Sequence, residues 1–393
     1  MIQSYTININ EADDAEFALD ELNEQMAGIT LRKNSVGIVS MHLDYLSSGV
    51  YAAIAGGLDF PLIGGTTLSS AANAEIGTFL LTILILTSDD CEFSCAVSSD
   101  AIPPKGDVGP VTQQCYRDAM AGLKGDAALA FLFAPFRLEY HYAGEYVRAA
   151  MAINEKTPIF GTLSFSEVDN NFGFGKTLCG KEGFDDRVVM MSVSGPVNPK
   201  FYIGSVSEAS IIMPDVGTVT KSHENIVAEI NNMGAGEFFE KIGYDPGNMV
   251  KGAQITGFMV REHNESGEVV SNKLIGILKI EDGCGVFGGD VPEGSILSVA
   301  TTSKEDVMTT AQEVVGQIEQ NHENGTVILF SCAGRTFALL NEPMKEYEYL
   351  RGALSEKYNM VTACSGGEIC PTLVTETKAY NNAHNQTLVA CVV

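Results

Sequence analysis

Val327-Ile328-Leu329-Phe330-Ser331-Cys332-Ala333-Gly334-Arg335 runs from a short, β-branched apolar segment into a small polar turn. A run of this length without polar alternation fits a central strand covered on both faces. Ligands in open α/β sheets settle just beyond the carboxyl ends of such strands, so Arg335 stands where a bound anion would be met. A second apolar run, Met360-Val361-Thr362-Ala363, leads into Ser365-Gly366-Gly367-Glu368. Adjacent glycines let the backbone approach a ligand or take positive φ, and Glu368 is presented at that turn. A third polar cluster, His384-Asn385-Gln386-Thr387, precedes a final strand over Leu388–Val393. Two readings of Arg335 and Glu368 stand side by side. They form a structural ion pair, or they are held apart by a zwitterion, with Arg335 gripping a carboxylate and Glu368 accepting from an ammonium group. An amino acid fits the second reading.

Around this stretch, Ser303-x-x-Asp306 has the spacing of a capping box with Asp in place of Glu, opening a helix to about Gln320. A further helix is expected over Met344–Tyr358. The order helix, strand, helix, strand, glycine turn, strand also occurs twice upstream, which reads as an internal repeat. In the first copy a helix over residues 13–28 carries Ala15, Ala18, Leu19, Leu22 and Met26 on one face. Strand Val36–Val39, helix Tyr45–Ala55 and Pro61-Leu62-Ile63 follow, ending in Gly64-Gly65-Thr66-Thr67. The run Phe79–Thr87 is expected to pair with Glu92–Val97 through a turn at Asp89-Asp90. In the second copy, helix Val111–Leu123, strand Ala128–Phe133 and helix Tyr140–Ile153 lead to Gly161-Thr162-Leu163-Ser164. Arg187–Val193 is expected to pair with Lys200–Val206. Between the second and third copies, Ser207–Thr302 is rich in strand signals. The fold class is therefore α/β, with two domains, 1–207 and 208–393. Their mixed, partly parallel sheets are built from a repeated α-β-α-β-turn-β unit, with a β-rich segment in the C-terminal domain.

Composition narrows the function. The 393 residues carry 50 acidic against 24 basic side chains, a formal charge of −26, which repels phosphate backbones and anionic membrane surfaces. The longest apolar run is far too short to span a bilayer, and no basic-then-apolar leader marks the chain for secretion. The nine cysteines contain no C-x-x-C pair, so reduced cytosolic thiols are the simplest account.

The order Phe330-Ser331-Cys332-Ala333-Gly334-Arg335, a long helix, Gly366-Gly367-Glu368-Ile369-Cys370-Pro371 and His384-Asn385-Gln386-Thr387-Leu388 resembles the C-terminal half of the FIST family of sensory domains. Glu224–Ile230 and Gly289-Asp290-Val291-Pro292-Glu293-Gly294 are also similar to it, and Pro61–Thr67 resembles the companion N-terminal domain. The family's N-terminal pattern carries a Gly-Glu pair where this chain has Ser69-Ser70. What the resemblance implies is a cytoplasmic signal-input module that binds a small ligand, with amino acids the usual suggestion. Some members are described as haem-binding nitric oxide sensors.

The expected ligand site combines Arg335, Glu368, Gly366, Gly367, Ser331, Cys332, Gly334, His384 and Asn385 with Gly64, Gly65 and Thr66 from a facing turn, because pockets favour such junctions. No catalysis, metal or cofactor is required, and a separate output protein is expected to receive the signal. Two alternatives remain open at this stage. Cys332 serves as an enzyme nucleophile with His384 as base, provided that a cation depresses its pKa, or His384 serves as an axial haem ligand.

Overall fold

The apolar runs become strands because both of their faces are covered. The computed structural model describes residues 2–393 apart from 138–140, 169–170, 173–174, 246–249, 252–253 and 264–268. A first unit comprises β1 (Gln3–Ile9), α1 (Ala15–Met26), β2 (Asn34–Met41), α2 (Asp44–Ser47), α3 (Val50–Gly56), β3 (Leu62–Thr66), β4 (Ser70–Ala72), β5 (Ile76–Gly77) and β6 (Leu81–Ser88). A second comprises β7 (Glu92–Val97), α4 (Gly109–Ala121), β8 (Ala127–Pro135), α5 (Ala143–Met151), β9 (Ile159–Ser164), the hairpin β10 (Glu167–Val168) and β11 (Asn171–Phe172), then β12 (Thr177–Cys179), β13 (Glu182–Phe184) and β14 (Val189–Ser194). The start expected for its second helix at Tyr140 lies outside the described residues.

After β15 (Lys200–Gly204) comes the β-rich part. It contains β16 (Ile211–His223), β17 (Ile226–Ile230), β18 (Met233–Gly234), α6 (Ala235–Ile242), β19 (Val250–Lys251), β20 (Gln254–His263), β21 (Val269–Ile275), β22 (Ile277–Glu281), β23 (Cys284–Phe287) and β24 (Ile296–Thr302). Its strands make one nine-stranded sheet, on which Phe239 of α6 packs against Phe258 and Phe287. The third unit resumes with α7 (Lys304–Asn321), β25 (Gly325–Cys332), α8 (Ala333–Ala338), α9 (Lys345–Leu354), β26 (Tyr358–Ser365), β27 (Glu368–Val374), β28 (Ala379–His384) and β29 (Leu388–Val392). The predicted capping box is present at α7, where the Asp306 carboxylate accepts from the Ser303 N–H at 2.8 Å and the Ser303 hydroxyl accepts from the Asp306 N–H.

Three six-stranded sheets share one order: β1-β6-β2-β3-β12-β13, β7-β14-β8-β9-β27-β28 and β15-β29-β25-β26-β4-β5. In each, the third and fourth strands run parallel. The fifth and sixth strands are a hairpin donated by a different unit, joined antiparallel to the fourth. The two halves of the chain are thus interleaved, since β4–β5 completes the third unit's sheet and β27–β28 the second's. Two expected pairings are corrected. The β6 strand pairs with β1 and β2 rather than with β7, and β14 pairs with β7 and β8 rather than with β15. At each of those turns the chain passes to the next sheet. Within the β-rich part, the apolar stretch Leu274–Ile280 is divided between two strands, β21 and β22.

Alternate residues explain the unbroken apolar runs. Val36, Ile38, Leu84 and Leu86 from the first sheet, Phe131, Phe133 and Phe160 from the second, and Ile328 and Phe330 from the third meet in one central core. There Phe160 stacks on Phe330 at 5.3 Å, and Phe133 meets Phe330 edge-on at 6.2 Å. The intervening residues turn outward to the unit's own helices: Ile83 and Ile85 under α1 and α3, Ala130 and Leu132 under α4 and α5, Val327 and Leu329 under α7 and α9. A strand buried on both sides reads as a continuous hydrophobic run.

Candidate functional site

The carboxyl ends of β3, β9 and β26 point their turns at one another. Turn one meets turn two through the Phe165 N–H donating to the Thr66 carbonyl at 3.1 Å and the Ser166 hydroxyl donating to Thr66 Oγ1 at 2.7 Å. Turn two meets turn three through Leu163 N–H to the Gly367 carbonyl, Gly366 N–H to the Leu163 carbonyl, both 2.9 Å, and Thr162 Oγ1 to Ser365 Oγ at 2.6 Å. Turn three returns to turn one through Cys364 N–H to the Ser69 carbonyl at 3.0 Å and Thr67 Oγ1 to the Cys364 carbonyl at 2.9 Å. These bonds close a buried ring of backbone and hydroxyl groups.

Glycine is required where the ring is tightest. A Cβ on Gly65 would fall 1.9 Å from Ser164 Oγ. Gly65→Ala is therefore expected to cost about 1–3 kcal/mol by overpacking, and the double variant with Ser164→Gly to recover most of it. Urea titration reads both. A single variant as stable as the parent would show that the ring yields freely.

Arg335 and Glu368 are both fully buried, but the guanidinium does not turn to Glu368. Its Nε and Nη2 donate to Glu346 Oε1 at 3.0 and 2.5 Å, and Nη2 also reaches the Val307 carbonyl at 3.0 Å. The Ser331 hydroxyl occupies Glu346 Oε2 at 2.6 Å. The partner that the sequence reading missed is thus Glu346. Its signal was legible, since Glu346, Leu350 and Leu354 repeat at helical spacing on the buried face of α9. Among the described residues, the Nη1 atom of Arg335 has no hydrogen-bond partner.

Glu368 opens β27, and its Oε2 accepts from the Thr387 hydroxyl at 2.7 Å and more loosely from the Thr387 N–H at 3.4 Å. Among the described residues no group meets its Oε1 at full hydrogen-bond geometry, although the Ser365 hydroxyl and the Cys332 thiol lie close enough to favour its charged form. Burial raises the carboxyl from its ordinary 4.5 to about 7, against the opposing pull of the Thr387 and Ser365 hydroxyls. The Cys332 thiol lies beside it and is pushed well above its ordinary value, first by burial and then by the Glu368 charge. That is the reverse of the depressed thiol a nucleophile needs. His384 directs Nε2 to the Cys370 carbonyl at 2.9 Å rather than to Cys332, and burial followed by the Lys273 charge lowers it to about 4. His384 as a whole is 3% exposed. Asn385 donates to the Gly288 carbonyl at 3.2 Å, tying the hairpin to the β-rich sheet.

The FIST N domain model matches residues 35–233 and the FIST C domain model residues 242–371. The chain belongs to the FIST family. FIST domains are sensory, signal-transduction domains, so the coarse role of this FIST protein is small-ligand sensing. No curated protein matches the chain. Among solved structures, a cyanuric acid hydrolase from A. caulinodans is similar over 100% of this chain and 99% of its own, at 10% identity and a TM-score of 0.35, a likeness too slight to carry a functional argument. Among the described residues, no helix is long and apolar enough to cross a membrane, and no group of three His, Cys, Asp or Glu side chains is placed to hold a metal ion.

Proposed function

We infer that this FIST protein is a cytosolic input module whose ligand is an amino acid, taken up where turn three meets α8. One observation supports the reading: among the described residues, each of the two ionisable side chains keeps one buried polar atom without a partner at hydrogen-bond geometry, a donor at Arg335 Nη1 and an acceptor at Glu368 Oε1. Buried polar groups without partners are costly, and a ligand bearing both a carboxylate and an ammonium supplies the missing partner to each. Glu346 keeps Arg335 in place before the ligand arrives. Because the ring is closed by direct bonds, entry shifts turn three and with it the β27–β28 hairpin inserted in the second unit's sheet. That displacement is the form in which occupancy reaches a separate output protein.

A thermal-shift screen of the amino acids at pH 7.5 tests this. Binding to the folded state stabilises it by about 2.7 kcal/mol at a hundredfold excess over Kd. The expected pattern is a shift with one or a few amino acids, none with their decarboxylated or deaminated analogues, and loss of the shift in Glu368→Gln. No shift with any amino acid, or a shift that survives Glu368→Gln, contradicts the reading.

A further inference from the structure

A second cluster of charges lies where α5, the β28 strand and the β-rich sheet converge. Lys273 of β21 is only 9% exposed, yet its two described polar contacts are long: Nζ stands 3.4 Å from Asn382 Oδ1 and 3.7 Å from Glu262 Oε1. An ammonium satisfied by oxygen anions sits nearer 2.7–2.9 Å. Lys273 lines a cavity of about 70 Å³ together with Arg148, Asp290, Asn382, Ile275 and Ala383. The Asp290 carboxylate is taken by Arg148 Nη1, with both oxygens at 2.6 Å, and by the Tyr142 hydroxyl at 2.6 Å. Arg148 Nη2 reaches Glu224 at 2.9 Å. Arg148 is thus committed to Asp290 and Glu224, whereas the ion pair of Lys273 with Glu262 is long, at 3.7 Å.

We propose that this cavity is a binding site for a small planar oxoanion of formate or acetate size, held by the Lys273 ammonium and seated against Ile275 and Ala383. The volume decides the size class, since a water in the liquid occupies about 30 Å³ and the cavity takes roughly two such volumes. Arg148 lines both this chamber and a wider cavity of about 510 Å³ that includes Asp107, Glu145 and Glu224. Arg148 is shared by the two linings, which puts the entry route to the smaller chamber beside it. Arg148 belongs to the segment matched by the FIST N model, and Lys273 and Asp290 to the segment matched by FIST C. A bound anion would therefore bridge the two family domains.

Calorimetric titration of the full chain with formate, acetate, bicarbonate and nitrate, at constant ionic strength set by chloride, tests the site. Saturable binding of formate or acetate is expected in the parent and in Glu368→Gln. Loss of a charge-assisted hydrogen bond weakens it about tenfold or more in Lys273→Met. Preference for bicarbonate or nitrate over the carboxylates supports the site and assigns the anion class. In the unaltered protein, the acetate methyl should show nuclear Overhauser contacts to the Ile275 and Ala383 methyls, a readout that holds even where Lys273→Met fails to fold. The proposal is overturned by linear, non-saturating behaviour with all four anions, by equal affinity in Lys273→Met, or by acetate contacts elsewhere.

Discussion

Arg335→Ala is expected to destabilise the protein by about 3–5 kcal/mol, because removing one member of a buried pair leaves the other as an uncompensated charge. Glu346 would keep the Ser331 hydroxyl at 2.6 Å and lose both guanidinium contacts. The Val307 carbonyl at the start of α7 would lose its side-chain donor as well. Arg335 therefore joins α7, α8 and α9, and through Ser331 the pair also touches β25. Replacing the pair together, Arg335→Met with Glu346→Leu, is expected to restore most of the loss, since a buried ion pair exchanged for apolar residues of similar volume is often close to neutral. Urea denaturation of the parent, the single variant and the double variant decides the matter. A single variant within 1 kcal/mol of the parent would mean that water reaches Glu346, and the site would then be open rather than buried.

The strands themselves were legible in the sequence, because burial on both faces writes a run such as Leu81–Leu86 that no amphipathic element can imitate. Their partners were less legible. Three residues separate β6 from β7, and so short a link reads as a hairpin, yet the link includes Cys91, which is buried in the central core between sheets. The donated hairpins were hidden for a related reason. Ser70–Ala72 and Thr177–Cys179 are three-residue strands in glycine- and serine-rich surroundings, and the β4 strand pairs with β26 nearly three hundred residues away. Local propensity cannot name so distant a neighbour. At the site, sequence placed Gly65, Thr66, Gly366 and Gly367 correctly at strand ends that meet. It did not name Glu346 as the partner of Arg335, because a glutamate on a helix ordinarily faces solvent and only its spacing to Leu350 and Leu354 points to a buried place.

Glu368 and His384 should write opposite signatures into the pH dependence of stability. The Glu368 carboxyl is raised from 4.5 to about 7, so the stability it contributes is fully present below pH 4.5 and is lost as pH rises through about 7. His384 is lowered from 6.5 to about 4, so its contribution is fully present above pH 6.5 and is lost as pH falls through about 4. Between 4.5 and 6.5 the folded chain holds the Glu368 proton and the unfolded chain holds the His384 proton, so the two slopes cancel. Above 6.5 the Glu368 limb stands alone. Glu368→Gln keeps the shape of the protonated acid and cannot ionise. It should match the parent within about 1 kcal/mol near pH 4.5 and exceed it by about 3 kcal/mol at pH 8, the free-energy equivalent of the Glu368 displacement. Every other titrating group is common to both proteins and drops out of the difference. Urea titrations at pH 4.5 and pH 8 therefore isolate a single carboxyl. An equal stability difference at the two pH values would place Glu368 in contact with solvent, and the unused oxygen on which the ligand reading depends would already have water as its partner.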